Sequence, residues 1–146
     1  MANKVNWDTV EWEQVSQSIK RKMIWGERTM IARLEIKDGC LVPQHHHENE
    51  QISFIESGTI RFWMGEDKSE VVDVHAGELL IIPPNLPHEA LMIGDVVATD
   101  TFSPPRADWI EGTDDYLRSL SYTHLTLPTI LLLYLPDGAG VSPKIN

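Results

Sequence analysis

Short β-prone runs, each closed within a few residues by Gly, Pro, Asn or Asp, restrict this chain to a sandwich or barrel of strands. Thr29 to Ile36 alternates, with Met30, Ala32, Leu34 and Ile36 on one side, and an extended strand puts such residues on one face. Asp38-Gly39 then turns the chain. Gln51 to Glu56 and Thr59 to Met64 flank Ser57-Gly58, and a hairpin is expected there. Gly65 to Ser69 is a polar turn before a strand from Glu70 to His75. Leu79 to Ile82 is continuously apolar, so that strand is expected to be buried on both faces. Pro83-Pro84 ends it, because proline lacks the donor a ladder needs. Glu89 to Ile93 and Val96 to Phe102 read as two closing strands, and Trp109 to Leu117 as a short cap or helix. Trp7 to Lys22 mixes tryptophans with charges and shows no assignable period.

The 146 residues suit one domain with a single core. A formal charge of −10 makes nucleic acid and anionic membranes poor partners, and Lys20-Arg21-Lys22 is the only basic run. A lone cysteine, Cys40, excludes an internal disulfide and fits a reducing compartment. The N-terminus lacks an apolar signal core, and Leu125 to Leu135 is too short and too interrupted to span a bilayer. A cytoplasmic protein is expected. Residues 1–24 read as an extension packing on the barrel, 25–118 as the barrel domain with a short C-terminal cap, and 119–146 as an atypical tail. From about Ser121 the sequence resembles translated sequencing-adapter DNA, a non-native read-through, so no functional residue is expected there, His124 included.

His45-x-His47-x-x-x-Gln51, with His88 behind the Pro83-Pro84-Asn85 turn, reads as four neutral ligands for one divalent metal. Alternate strand residues share a face, so His45 and His47 can point inward with Cα atoms about 6–7 Å apart. Gln51 has the same parity. Imidazole suits zinc, copper, iron and nickel, and an amide oxygen adds a weak neutral donor. Such a set leaves the cation's charge uncompensated and should favour an anionic ligand. Gln51 could instead only hydrogen-bond a histidine. His46 has the opposite parity and is expected to face away, and His75 to lie at the surface.

Gly39-x5-His45-x-His47-x3-Gln51-x6-Gly58 is similar to the first cupin motif, with Gln51 where many members have glutamate. Gly77-x5-Pro83-x-Asn85-x2-His88 resembles the second, with Asn85 in place of the usual glycine; asparagine tolerates the left-handed backbone. The resemblance covers roughly residues 25–118 and implies an all-β, single cupin (jelly-roll) barrel. Asp100-x-Phe102-Ser-Pro-Pro-Arg106 resembles the ending of the KdgF-type cupins of pectin and alginate breakdown. That resemblance implies His45, His47, Gln51 and His88 as ligands of one divalent transition metal (zinc, nickel, manganese or iron). It implies Asp100 and Arg106 as catalytic residues, with Phe102 and Arg106 around the substrate. The implied activity is a metal-dependent isomerase opening the ring of 4,5-unsaturated uronates to linear 5-keto-4-deoxyuronates, with a small anionic carbohydrate as substrate.

Plainer roles stand beside these. Asp100 could simply pair with Arg106, Phe102 could be core, Arg106 could cap the chain, and Trp109 is expected to anchor packing. A polyketide-cyclase-like cupin, a dioxygenase, and a non-catalytic metal or small-molecule binder remain alternative functions. Ile52, Phe54 and Trp63 give the outer face an apolar character, so a homodimer is expected unless Trp7 and Trp12 cover that face.

Overall fold

The computed structural model describes residues 1–120; the expectation for the tail lies outside the described residues, apart from its first two positions. A 3-10 turn at Trp7–Thr9 leads into eight strands: β1 (Glu13–Gln14), β2 (Ile19–Trp25), β3 (Met30–Ile36), β4 (Leu41–His45), β5 (Glu50–Met64), β6 (Glu70–His75), β7 (Leu79–Ile82) and β8 (His88–Ser103). Two short helices follow, α1 (Ala107–Glu111) and α2 (Asp115–Arg118). No helix among the described residues is long and apolar enough to cross a membrane.

The strands form an antiparallel jelly-roll barrel in the order β1-β2-β3-β8-β5-β6, with β4 also on β8 and β7 also on β5. β5 and β8 pair along almost their whole length and are shared by both halves of the barrel. The first part of β5 pairs with β7 and its second part with β6, while β8 pairs first with β4 and then with β3. The inward faces of β3, β5 and β8 supply most of the core, including Met30, Ala32, Leu34, Ile55, Ile60, Phe62, Ala98 and Phe102. The alternation read from Thr29 to Ile36 is therefore the burial pattern of β3.

Three local expectations give way. Ser57-Gly58 is a bulge inside β5, not a hairpin turn, and the register against β8 shifts on either side of Ser57. The buried set changes parity there, from Gln51, Ser53 and Ile55 to Ile60, Phe62 and Met64, which is what an inserted residue does to a strand. Gly58 has φ 81°, and a Cβ on it would collide with the Asp95 carbonyl, so glycine is required by close approach as well as by backbone angle. Second, Glu89–Phe102 is one strand that passes through Gly94 without a break. Third, Leu79 and Ile81 are exposed while Ile82 is fully buried, because β7 pairs only with β5 and nothing among the described residues covers its outer face.

The expected boundary between residues 24 and 25 falls inside β2, which pairs with β3 over seven positions. Arg21 of β2 is fully buried and holds the C-terminal cap: its Nη1 donates to Asp114 Oδ2 at 2.8 Å and its Nη2 to Glu13 Oε1 at 3.0 Å. Arg118 closes the same network, with Nε 2.6 Å from Asp114 Oδ1 and Nη2 2.6 Å from Glu13 Oε2. The Arg21 guanidinium also lies over the Trp109 ring, 4.4 Å from its centroid. Trp109 is buried, as expected of an anchor. These contacts fold α1 and α2 over one mouth of the barrel.

Candidate metal centre

His45 ends β4 and faces His88, the first residue of β8, in direct register. His47 follows in the loop to β5, and its carbonyl accepts from the Asn85 backbone N–H at 2.8 Å. Asn85 has φ 65°, so the second motif makes its turn without the usual glycine, and that turn is tied to the first motif. The ring centroids of His45 and His88 are 4.3 Å apart, those of His47 and His88 5.1 Å, and those of His45 and His47 5.7 Å. One ligand atom from each histidine lies within 4.8 Å of the other two, a spacing that could hold one ion. His46 and His75 are exposed and outside this cluster.

The backbone fixes which nitrogens are available. Nδ1 of His45 lies 2.8 Å from the Pro43 carbonyl, Nδ1 of His47 3.0 Å from that of Asn49, and Nδ1 of His88 2.8 Å from that of Leu86. A carbonyl only accepts, so each Nδ1 carries the proton and each Nε2 keeps a lone pair. Nε2 of His47 and Nε2 of His88 are buried without a hydrogen-bond partner. Buried polar atoms are normally satisfied, so two orphaned lone pairs converging on one point fit a divalent cation well. Burial is the main cause holding the pKa of His45 down to about 3, with His88 next among the lowering influences. Burial and the Arg106 charge hold His47 down to about 4, and burial lowers His88. All three are neutral at pH 7, the form a metal takes.

Gln51, buried near the start of β5, donates from Nε2 to Ser53 Oγ at 2.9 Å, and its side chain also meets His47. Asp100 stands opposite Ser53 in the β5–β8 register. Burial pushes the Asp100 carboxyl up to about 6, against the opposing pull of Ser53 and Arg106. Phe102 is buried between His47 and Trp109, with ring centroids 5.9 and 4.9 Å away, so it is both core and wall.

Arg106 is the N-cap residue of α1, as the capping expectation has it, but the expected pairing with Asp100 is not seen. It makes no ion pair with Asp100; instead its Nε and Nη2 reach Asp108 at 3.0 and 2.8 Å, and Nη2 also reaches the Tyr116 hydroxyl at 2.6 Å. The Nε–Nη2 edge is thus occupied by Asp108, while Arg106 still borders the cavity with its charge.

His45, Gln51, His88, Asp100, Phe102 and Arg106 all line one interior cavity of ≈ 70 Å³ whose deeper wall is apolar (Leu34, Ile36, Ile60, Phe62, Met92). An outer vestibule of ≈ 380 Å³ is lined by His45, His46, His47, Asp108 and Tyr116 among others. His45, Arg106 and Tyr116 border both spaces, and the Tyr116 ring lies 4.6 Å from that of His45. Ser53 and Tyr116 escaped the sequence reading. Ser53 shares the parity of Gln51, a usable signal; Tyr116 reaches the site only because the cap folds back.

Residues 32–101 match the family model described as Cupin domain, and the fold is a cupin barrel. Solved structures resemble it closely in shape. KdgF from Halomonas sp. superposes with a TM-score of 0.67 at 22% identity, over 75% of this chain and 99% of that one. An RmlC-like cupin from Shewanella frigidimarina gives 0.67 at 23%, over 75% and 96%. Oxalate decarboxylase from Bacillus subtilis gives 0.60 at 15%, over 71% of this chain and 31% of that chain. No curated protein matches the chain by sequence. At these identities the likeness is one of fold.

Proposed function

We propose that this chain is a KdgF-like, metal-dependent isomerase that opens the ring of a 4,5-unsaturated monouronate to the linear 5-keto-4-deoxyuronate. The observation that carries the reading is a carboxyl of raised pKa on the same cavity as His45 and His88, whose cluster with His47 leaves two buried imidazole nitrogens without partners. His45, His47 and His88 would hold the cation through Nε2, with the Gln51 amide oxygen as fourth donor. A divalent ion bound there supplies Lewis-acid polarisation of substrate oxygens.

The reaction is an isomerisation and needs no water or redox partner. The hemiacetal hydroxyl at C1 loses its proton, the bond from C1 to the ring oxygen breaks, and C1 becomes the aldehyde. The enolate released at C5 then takes a proton at C4 and becomes the ketone. Asp100 would move that proton, since a carboxyl titrating near pH 6 both accepts and donates close to neutrality. Arg106, pinned by Asp108 and Tyr116, contributes fixed positive charge for the substrate carboxylate. Phe102 and Trp109 keep that end of the cavity dry.

The test is to incubate metal-loaded protein with an unsaturated monouronate and follow loss of its near-ultraviolet absorbance, with NMR of the product and His88→Ala as control. The proposal predicts a rate well above the spontaneous one and an open-chain keto acid; no acceleration defeats it. A polyketide-cyclase-like activity is the second reading, favoured by the apolar depth of the cavity and by the engagement of Arg106 with Asp108. Turnover of an apolar polyketone but not of the uronate would support it. The same proposal takes the outer face bearing Ile31, Phe54, Leu79 and Ile81, all exposed, as the surface that a second copy covers. Sedimentation analysis should then show a dimer that Phe54→Lys dissociates, and a wild-type monomer would refute that part.

A further inference from the structure

We infer that Ser53 is a positioning residue that makes Gln51 present its amide oxygen, rather than its NH2 group, to the histidine cluster. This rests on the reading of Gln51 as a ligand and extends it to a residue nothing in the motif assigns.

A glutamine amide has two ends, and only the oxygen can ligate a cation; turned the other way, its NH2 would sit against the lone pairs of the imidazoles and exclude the ion. Neither motif spacing nor strand parity chooses between these orientations. A serine hydroxyl has one proton to give and lone pairs to receive. Ser53 is buried, with 2% of its surface exposed, and stands directly across the β5–β8 ladder from Asp100. Ser53 acts on the Asp100 carboxyl as a donor, lowering its pKa against burial, and once ionised Asp100 can only accept. With Asp100 ionised, above about pH 6, the single proton of Ser53 goes to it. Towards Gln51 only a lone pair is left, so the amide must donate, and the Nε2–Oγ distance is 2.9 Å. The amide oxygen is left for His47, whose Nε2 has no hydrogen-bond partner of its own.

The consequence is directional. Asp100, through Ser53, sets which atom of Gln51 meets the metal, so the proton-transfer group and the ligand are joined across two strands. A glutamate at position 51 needs no such help, because a carboxylate shows an oxygen whichever way it turns. Many cupins with glutamate at that place could therefore dispense with the hydroxyl; a chain with glutamine could not.

The test is cobalt(II) affinity, read by competition with a chelator and by the visible spectrum of the bound ion, for wild type, Ser53→Ala, Ser53→Thr, Gln51→Ala, Gln51→Glu and the double variant Gln51→Glu/Ser53→Ala. Losing a group that orients a ligand typically weakens metal binding about 10–100-fold. Ser53→Ala should show such a loss with an altered spectrum, and Ser53→Thr, which restores the hydroxyl, should recover towards wild type. The double variant should bind as tightly as Gln51→Glu alone. Melting of the metal-free forms confirms that each variant is folded. Ser53→Ala binding like wild type while Gln51→Ala is weakened would overturn the role of Ser53 and leave the ligand reading intact. An equal loss from Ser53→Ala in the Gln51→Glu background would also overturn it. Gln51→Ala binding like wild type would remove the ligand reading itself, and this inference with it.

Discussion

Two regions of this barrel bury polar groups a few ångströms apart, and they treat them in opposite ways. In the cap, Arg21, Asp114, Glu13 and Arg118 satisfy one another, and Arg106 is clasped by Asp108 and Tyr116. The one leftover donor there, Arg21 Nε, belongs to a guanidinium stacked over Trp109. In the histidine cluster, by contrast, each Nδ1 is bound to a carbonyl while Nε2 of His47 and of His88 has nothing. An unmet buried acceptor costs about 1–3 kcal/mol, so a fold keeps a pair of them only where another species repays the cost. The cap is there for structure and the cluster for binding.

Substitutions can break that contrast if it is wrong. The largest effect on folding should come from Asp114→Ala, which leaves the buried Arg21 with only the partly exposed Glu13; removing one partner of a buried pair costs about 3–5 kcal/mol. Chemical denaturation measures it, and a loss below about 1 kcal/mol would show that the cap network is not what fixes the mouth. His88→Phe should behave differently: metal-free stability should change by no more than about 1 kcal/mol, because an unpaired acceptor is exchanged for an apolar ring. Metal binding should nevertheless collapse, as equilibrium dialysis would reveal.

A third contrast is a pH dependence at Asp100. Its folded pKa, about 6, lies above the ordinary value of 3.8, so the folded state holds the proton more tightly than the unfolded one. Its contribution to stability is therefore greatest below pH 3.8 and is lost as pH rises through 6. Asp100→Asn should match wild type in acid and be more stable than wild type, by about 3 kcal/mol, at pH 8 in the metal-free protein. A difference that grows towards low pH would have the wrong sign. The histidines act in the other direction: with pKa values held down to about 3 and 4, His45 and His47 favour the folded state above pH 6.5, and that advantage is lost as pH falls towards those values.

Much of the site was legible because its signals are local. His45, His47 and His88 are set by strand parity and by proline and asparagine punctuation, and the structure brings those three together. What escaped the sequence depends on contacts between distant segments. Gly58 needs a positive φ in a turn or in a bulge alike, and only the approach of Asp95 tells which it is. The apolar run at Leu79–Ile82 gives no sign that β7 has a neighbour on one side only. Tyr116 enters the site because Arg21 and Asp114, separated by 93 residues, pull the cap across the mouth. Arg106 has Asp108 only two residues away, yet nothing in the sequence says that this carboxylate takes the bidentate edge.

The most direct test of the whole account is an anomalous-scattering map of crystals grown with zinc. The account predicts one peak per chain inside the barrel, with Nε2 of His45, His47 and His88 at about 2.0–2.1 Å. A barrel interior without a peak, or an ion held elsewhere or through Nδ1, would contradict it.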